Sequence, residues 1–303
     1  MEVRVLSSAQ ITCTINHMAA LESWKYSPDR DFRAGKLHID VIADYGGGHT
    51  PDPAFTEVQN HFLRHDPTGI VELVTPTPVH GFSTIETGFW IAQEALHSEH
   101  PNLVIFSNTA PRSTIAWTGQ KEQPFVCGIL DNGVPVFAVQ AGYNLSFVKD
   151  RLQGLWEVNV PNIGTQFRSR DQYPKATMAI LHGEVSLIGK PVDVSRILKV
   201  PVNHVASIDG YGNIKTTTRH DQVSSTWGTS PKVRITLNGQ MQEAVNTLAG
   251  QTAKQGELKI GVGSSGGKDN PFIEIVRIMG SAQKDFNLRA PADDLQAFTI
   301  TPV

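Results

Sequence analysis

Cysteine is scarce: the 303-residue chain has two, Cys13 and Cys127, and neither stands in a CxxC pair. This excludes a disulfide framework and makes a reducing, cytoplasmic compartment the expectation. No apolar stretch approaches the ~18 residues needed to cross a bilayer, so no membrane partner is expected. Glu2 and Arg4 interrupt the N-terminal stretch MEVRVLSSAQITCTINHMAA early and no continuous apolar run follows, so a signal peptide is not expected. Positive charge is not concentrated either. The 26 Lys and Arg are outnumbered by 29 Asp and Glu, and the absence of a long basic run argues against a nucleic-acid partner. The 11 histidines form no HExxH or paired Cys/His spacing, so no metal site is expected, and the lack of a Walker sequence disfavours a P-loop.

What remains is a hydrophobic content of 40% with 18% charged residues, the balance of a soluble globular protein with a sizeable core. Residues 1–36 show no clear period and read as an N-terminal extension. From Leu37 the texture changes. Leu37, Ile39, Val41 and Ile42 form a buried strand that closes on Asp44-Tyr45-Gly46-Gly47-Gly48. Phe55, Val58 and Phe62 predict a helix after Pro53, and Ile70 to Val74 the next strand. Ile85, Phe89, Ala92 and Leu96 have the spacing of an amphipathic helix, and Leu103 to Phe106 is a further strand ending at Ser107-Asn108-Thr109. Phe125–Ile129 and Val134–Val139 flank the turn Leu130-Asp131-Asn132-Gly133, and Asp171 can cap a helix carrying Met178, Leu181 and Val185.

Strand–helix alternation over residues 37–190 predicts an α/β domain with a mostly parallel sheet and flanking helices. Residues 191–303 read as a linker, Pro191 to Pro201, followed by a smaller β-rich, barrel-like domain of short runs such as Val205–Ile208, Val233–Leu237, Leu258–Val262 and Phe272–Val276.

Four loops carry candidate chemistry. Asp44, at a strand end beside glycines, can accept hydrogen bonds from a ribose diol, although an Asx turn accounts for it as well. Asp209-Gly210-Tyr211-Gly212-Asn213 sets an aromatic ring and an amide where they can stack on and read a purine, or simply forms a hairpin turn. Gly263-Ser264-Ser265-Gly266-Gly267 offers hydroxyls and free amides to an anion, or is a loose turn. Phe167-Arg168-Ser169-Arg170-Asp171 brings two arginines to a helix start, to hold an anion or to form a solvated ion pair.

In order and spacing these motifs, from about Leu37 to Leu288, resemble the S-adenosyl-L-methionine (SAM) hydroxide adenosyltransferase and SAM-dependent chlorinase–fluorinase family. Asp44-Tyr45-Gly46 is similar to its first strand-end motif and Ile70-Val71-Glu72-Leu73 to its next strand. Asp131-Asn132-Gly133 matches its Asp-Asn-Gly turn, and Ile208-Asp209-Gly210-Tyr211-Gly212-Asn213 its Ile-Asp-x-Phe-Gly-Asn motif. Ser264-Ser265-Gly266 with Ile273-Glu274-Ile275 and Gly280-Ser281-Ala282 resembles its C-terminal signature.

The resemblance implies displacement at C5′ of SAM, which is substrate and not cofactor, by water or hydroxide, giving adenosine and L-methionine. It also implies homotrimers with SAM at subunit interfaces. Asp44 would then hold the ribose diol, with Phe82 packing on the ribose side. Asn213 and the backbone near Arg277 would read adenine, Tyr211 would stack, and Asp209 with Ser264 or Ser265 would hold the methionine end. Asp131 and Asn132 carry over as substrate-binding residues. Around the nucleophile the chain departs from the hydroxide-using pattern. Asn108 stands for an Asp and Arg168 for a His, Arg112 fills the Arg role, Ser169 coincides with a halide-contacting Ser, and His49 offers a substitute base. A SAM-dependent halogenase and a SAM or adenosine binder without turnover are the alternatives.

Overall fold

The first apolar run becomes β1 (Leu37–Ala43), which pairs with a parallel strand on each side. The structure is a computed structural model that describes residues 36–46, 52–98, 100, 102–110, 123–161, 163, 167–289 and 296–303. The extension to residue 35, His49 and Arg112 lie outside the described residues.

Helix α1 (Pro53–Arg64) starts where the Asp52 carboxylate accepts the Ala54 amide, and Phe55, Val58 and Phe62 form its buried face. Next come β2 (Val71–Pro78), α2 (Thr84–His97) and β3 (Leu103–Asn108). Pro76 and Pro78 are tolerated in β2 because it is an edge strand. Alternate residues of β1 serve opposite faces. Ile39 and Val41 pack in the core that holds α1, whereas Ile42 joins the core under α2.

The remaining strands are β4 (Phe125–Leu130), β5 (Pro135–Val139), β6 (Leu152–Val158) and β7 (Ile188–Pro191), in the sheet order β2-β1-β3-β5-β4-β6-β7. The expectation of a mostly parallel sheet is corrected here. The β1–β2, β1–β3 and β3–β5 pairings are parallel, and β4–β5, β4–β6 and β6–β7 are antiparallel. The physical reason is connection length. The Asp131-Asn132-Gly133 turn joins β4 to β5 directly, and a tight turn can only reverse the chain.

After the helical turn α3 (Arg168–Asp171) comes α4 (Tyr173–Leu181), which Asp171 does not cap. Its carboxylate is taken by the Arg170 guanidinium at 2.7 Å, and the helix ends at Leu181, before the left-handed Gly183, so Val185 is not part of it. Residues 191–201 are not a free tether. Ile197 is buried against the first sheet, and the Lys149 ammonium donates to the Ser195 and Ile197 carbonyls.

The second sheet contains β8 (Val205–Ile208), β9 (Ile214–Arg219), β10 (Lys232–Leu237), β11 (Gln240–Asn246), β12 (Leu258–Val262), β13 (Phe272–Arg277) and β14 (Phe298–Pro302). Short helical turns α5 (Ser225–Gly228) and α6 (Ala282–Asp285) are set between strands. The order is β14-β10-β11-β12-β13-β9-β8, and the sheet curls until its two edges meet at an isolated His204–Ala297 bridge. The architecture is thus two mixed sheets, the second barrel-like. Helix α2 lies between them: Phe89 packs on Phe272 at 4.9 Å and on buried Ala206 of β8. Gly88 lets the helix press against the 143–144 backbone, where a β-carbon would meet the Tyr143 carbonyl. Among the described residues no helix is long and apolar enough to cross a membrane.

Candidate functional site

Strands β1, β2 and β3 are parallel, and the chain leaves β1 for one neighbour and β2 for the other. Their helices, α1 and α2, therefore fall on opposite faces, and the crevice between the carboxyl ends of β1 and β3 is the switch point where α/β sheets bind ligands. Asp44 and Asn108 flank it, with the Asp44 amide donating to the Asn108 carbonyl at 3.3 Å. The segment after β2 adds Phe82, whose amide donates to the Asp44 carboxylate at 2.9 Å.

An open cavity of about 1310 Å³ lies there. Of the residues singled out in the sequence, Asp44, Phe82, Asn108, Arg168 and Ser169 line it. Ser169 is placed by Tyr45, a buried phenol that donates to its carbonyl at 3.4 Å. Burial pushes the Tyr45 phenol well above its ordinary range, so it stays a neutral donor.

The apolar wall includes Phe125 and Tyr173, stacked at 4.1 Å and 11°. Burial also raises the Tyr173 phenol, an effect that nearby Arg168 opposes. The charged lining is Asp44, Asp52, Glu57, Glu157, Arg168 and Arg170. Arg170 is held by Asp171 and by Glu57 at 2.9 Å. Carboxylates outnumber guanidiniums four to two on the described wall, which favours a ligand carrying positive charge.

Phe82 is strained. Its φ of 64° is left-handed, a region costly for a bulky residue, and its ring is 60% exposed, so apolar burial does not offset the cost. Phe82→Gly is expected to raise folding stability by about 0.5–1 kcal/mol in denaturant titration. An unchanged or lower midpoint would show that the turn is not under strain.

The other singled-out residues are elsewhere. The Asp131 carboxylate accepts from the Arg151 guanidinium at 2.5 Å, and the Asn132 amide donates to the Ala95 carbonyl at 2.8 Å, so both secure the hairpin. Ser264 is exposed and Ser265 buried, in a loop held by the Gly266 amide donating to the Gln93 side chain. The run Gly261–Gly267 contains both G-x-G-x-x-G and G-x-S-x-G spacings, but it joins two antiparallel strands without a following helix and has neither motif's context.

Asp209, Tyr211 and Asn213 share one turn on the second sheet. The Asp209 carboxylate accepts from the Tyr211 and Asn213 amides at 3.0 Å each and from the Asn213 side chain at 3.0 Å. Gly212, with φ 82°, has Ser281 where a β-carbon would stand. The Tyr211 ring is 84% exposed, as is Met279 at 86%. The Arg277 guanidinium bonds Asp285 at 2.6 Å and the Gly256 carbonyl at 2.8 Å. None of this group is among the residues lining the Asp44 cavity.

Sequence reasoning missed Glu157, Tyr173 and Glu86. Glu86 had a signal: Ser83-x-x-Glu86 has capping-box spacing. Among the described residues no cluster of three or more His, Cys, Asp or Glu is arranged to hold a metal. Cys127 is buried and its thiol pushed up to about 12, so it supplies no nucleophile.

No protein-family profile matches the chain, and no curated protein does. Among solved structures it is similar to the crystal structure of an uncharacterized conserved protein from Thermotoga maritima. The TM-score is 0.65 at 16% sequence identity, over 86% of this chain and 99% of that one. At that identity the likeness speaks for architecture alone: the chain shares its overall fold with the Thermotoga maritima protein.

Proposed function

We propose that the protein is a SAM-dependent adenosyltransferase in which water or hydroxide displaces methionine from C5′, giving adenosine and L-methionine. The observation that carries this reading is the placement of Asp44 at the β1/β3 switch point of a cavity whose described wall is rich in carboxylates. A sulfonium cation suits such a wall, and a strand-end carboxylate suits a ribose diol. SAM is the substrate and no further cofactor is invoked. Attack of water on C5′ forms the C–O bond as the C–S bond breaks, neutral methionine leaves with the electron pair, and the proton passes to solvent. Since the sulfonium is already a good leaving group, positioning and exclusion of bulk water supply most of the acceleration.

The cavity exceeds the ~300–1,000 Å³ usual for small-ligand sites. The Tyr211 side chain stands exposed on its turn, a surface of the kind that a neighbouring copy would bring over the cavity. The homotrimer with interface sites that the family resemblance implies is part of the proposal. Arg168 supports a second reading: a guanidinium on the wall also suits a halide nucleophile.

One assay separates these. Purified protein incubated with SAM, with and without chloride, bromide or fluoride, is expected to give adenosine regardless of halide. A 5′-halo-adenosine product would select the halogenase, and saturable binding without product would select a binder, in keeping with Asn108, an amide unable to accept water's proton.

A further inference from the structure

Glu86 is a carboxylate with no exposed surface, and such a group is costly unless hydrogen bonds surround it. Its spacing from Ser83 is that of a capping box, in which the glutamate would bond the Ser83 amide. Here the Ser83 amide is already taken by the His80 carbonyl at 3.2 Å, and the carboxylate reaches further. One oxygen accepts both the His80 amide and the His80 ring Nδ1, each at 2.8 Å. The other accepts the hydroxyl of Ser207, fully buried on β8 of the second sheet, at 2.6 Å.

The segment clamped in this way runs from His80 to Ser83 and contains strained Phe82, whose amide holds the Asp44 carboxylate. Ser207 lies two residues before Asp209 on the same chain path. Hydrogen bonds at either end of the His80–Phe82 backbone thus join the second sheet to the carboxylate at the cavity.

We propose that Glu86 is a positioning residue: anchored through Ser207 to the second sheet, it holds the His80–Phe82 turn so that the Phe82 amide fixes the Asp44 carboxylate for a vicinal diol. The diol as ligand rests on the proposed function; the positioning of Asp44 does not. A buried clamp is the means by which a left-handed Phe is kept in place, since strain persists only where surrounding contacts over-determine it. It also ties the geometry of the cavity edge to the sheet carrying the Tyr211 turn.

The test uses the full chain and the variants Ser207→Ala and Glu86→Gln. Without ligand, amide hydrogen exchange of Phe82 followed by NMR is expected to accelerate at least tenfold in both, while β1 amides keep their wild-type protection. An unprotected Phe82 amide in the wild type, or unchanged exchange in the variants, overturns the proposal. With ligand, adenosine is expected to bind the variants at least tenfold more weakly and 2′,3′-dideoxyadenosine as it binds the wild type. Equal losses for both nucleosides would mean general damage and contradict the role. If the wild type binds neither nucleoside, the functional reading fails, while the exchange measurement still decides the clamp. Should Glu86→Gln fail to fold, Ser207→Ala, which leaves the carboxylate in place, carries both measurements.

Discussion

Replacing Asp40 with Asn is expected to stabilise the protein by ~2–4 kcal/mol near pH 8 and to change its stability little near pH 4. Asp40 lies on β1 facing α2, only 3% exposed, with the Thr77 hydroxyl donating to it at 2.8 Å. Desolvation raises its pKa to about 7, partly offset by the Thr77 bond and reinforced by Glu94 on α2. Glu94 is itself shifted upward by burial. The folded pKa is above the unfolded one, so the folded state retains this proton where the unfolded state has lost it. Asp40 therefore contributes most favourably below about pH 4, and that contribution is lost as pH rises towards about 7. Asn mimics the protonated acid at every pH, so the gain grows through that window and is complete above about pH 7. Denaturant midpoints of the two proteins across pH 4–8 check this; parallel curves would mean that Asp40 ionises normally.

Asp44→Ala is expected to weaken SAM binding more than tenfold, at least about 1.4 kcal/mol, with little loss of folding stability. A carboxylate that accepts from both hydroxyls of a diol makes charge-assisted hydrogen bonds worth ~1.5–3 kcal/mol each. Asp44 is only partly buried, so the Phe82 amide released by the change can bond water instead. Isothermal titration of both proteins with SAM measures the first effect and a denaturant titration the second; unchanged affinity removes Asp44 from the site. Asp209→Ala is a less clean probe, because Asp209 also makes three bonds within its own turn.

The strands with apolar runs were legible, and so was the cavity edge. Asp44 and Asn108 follow such runs, and a polar residue at the carboxyl end of a parallel strand is placed by that pattern alone. Strand β9, Ile-Lys-Thr-Thr-Thr-Arg, and β6, with Gly154 and Glu157, were not legible, because pairing and not an apolar run makes them strands. The parallel-sheet expectation failed because the Asp131–Gly133 turn reverses the chain, and pairing direction follows connections more than strand composition. Ser264 and Ser265 read either as an anion loop or as a turn because small polar residues serve both; the Gly266 contact with Gln93 and the approach of Gly267 to His97, which place that loop on α2, have no signal in the sequence. Glu86 was hidden by its own motif, since capping-box spacing announces a helix start and not a bond to another sheet.

The most direct measurement is a crystal structure of the protein grown with SAM. The adenosyl group is expected beyond the carboxyl ends of β1 and β3, with both ribose hydroxyls on the Asp44 carboxylate and adenine against the Tyr211 turn of a neighbouring copy. SAM bound elsewhere, or Asp44 facing solvent while the nucleoside is held by other residues, would contradict that placement.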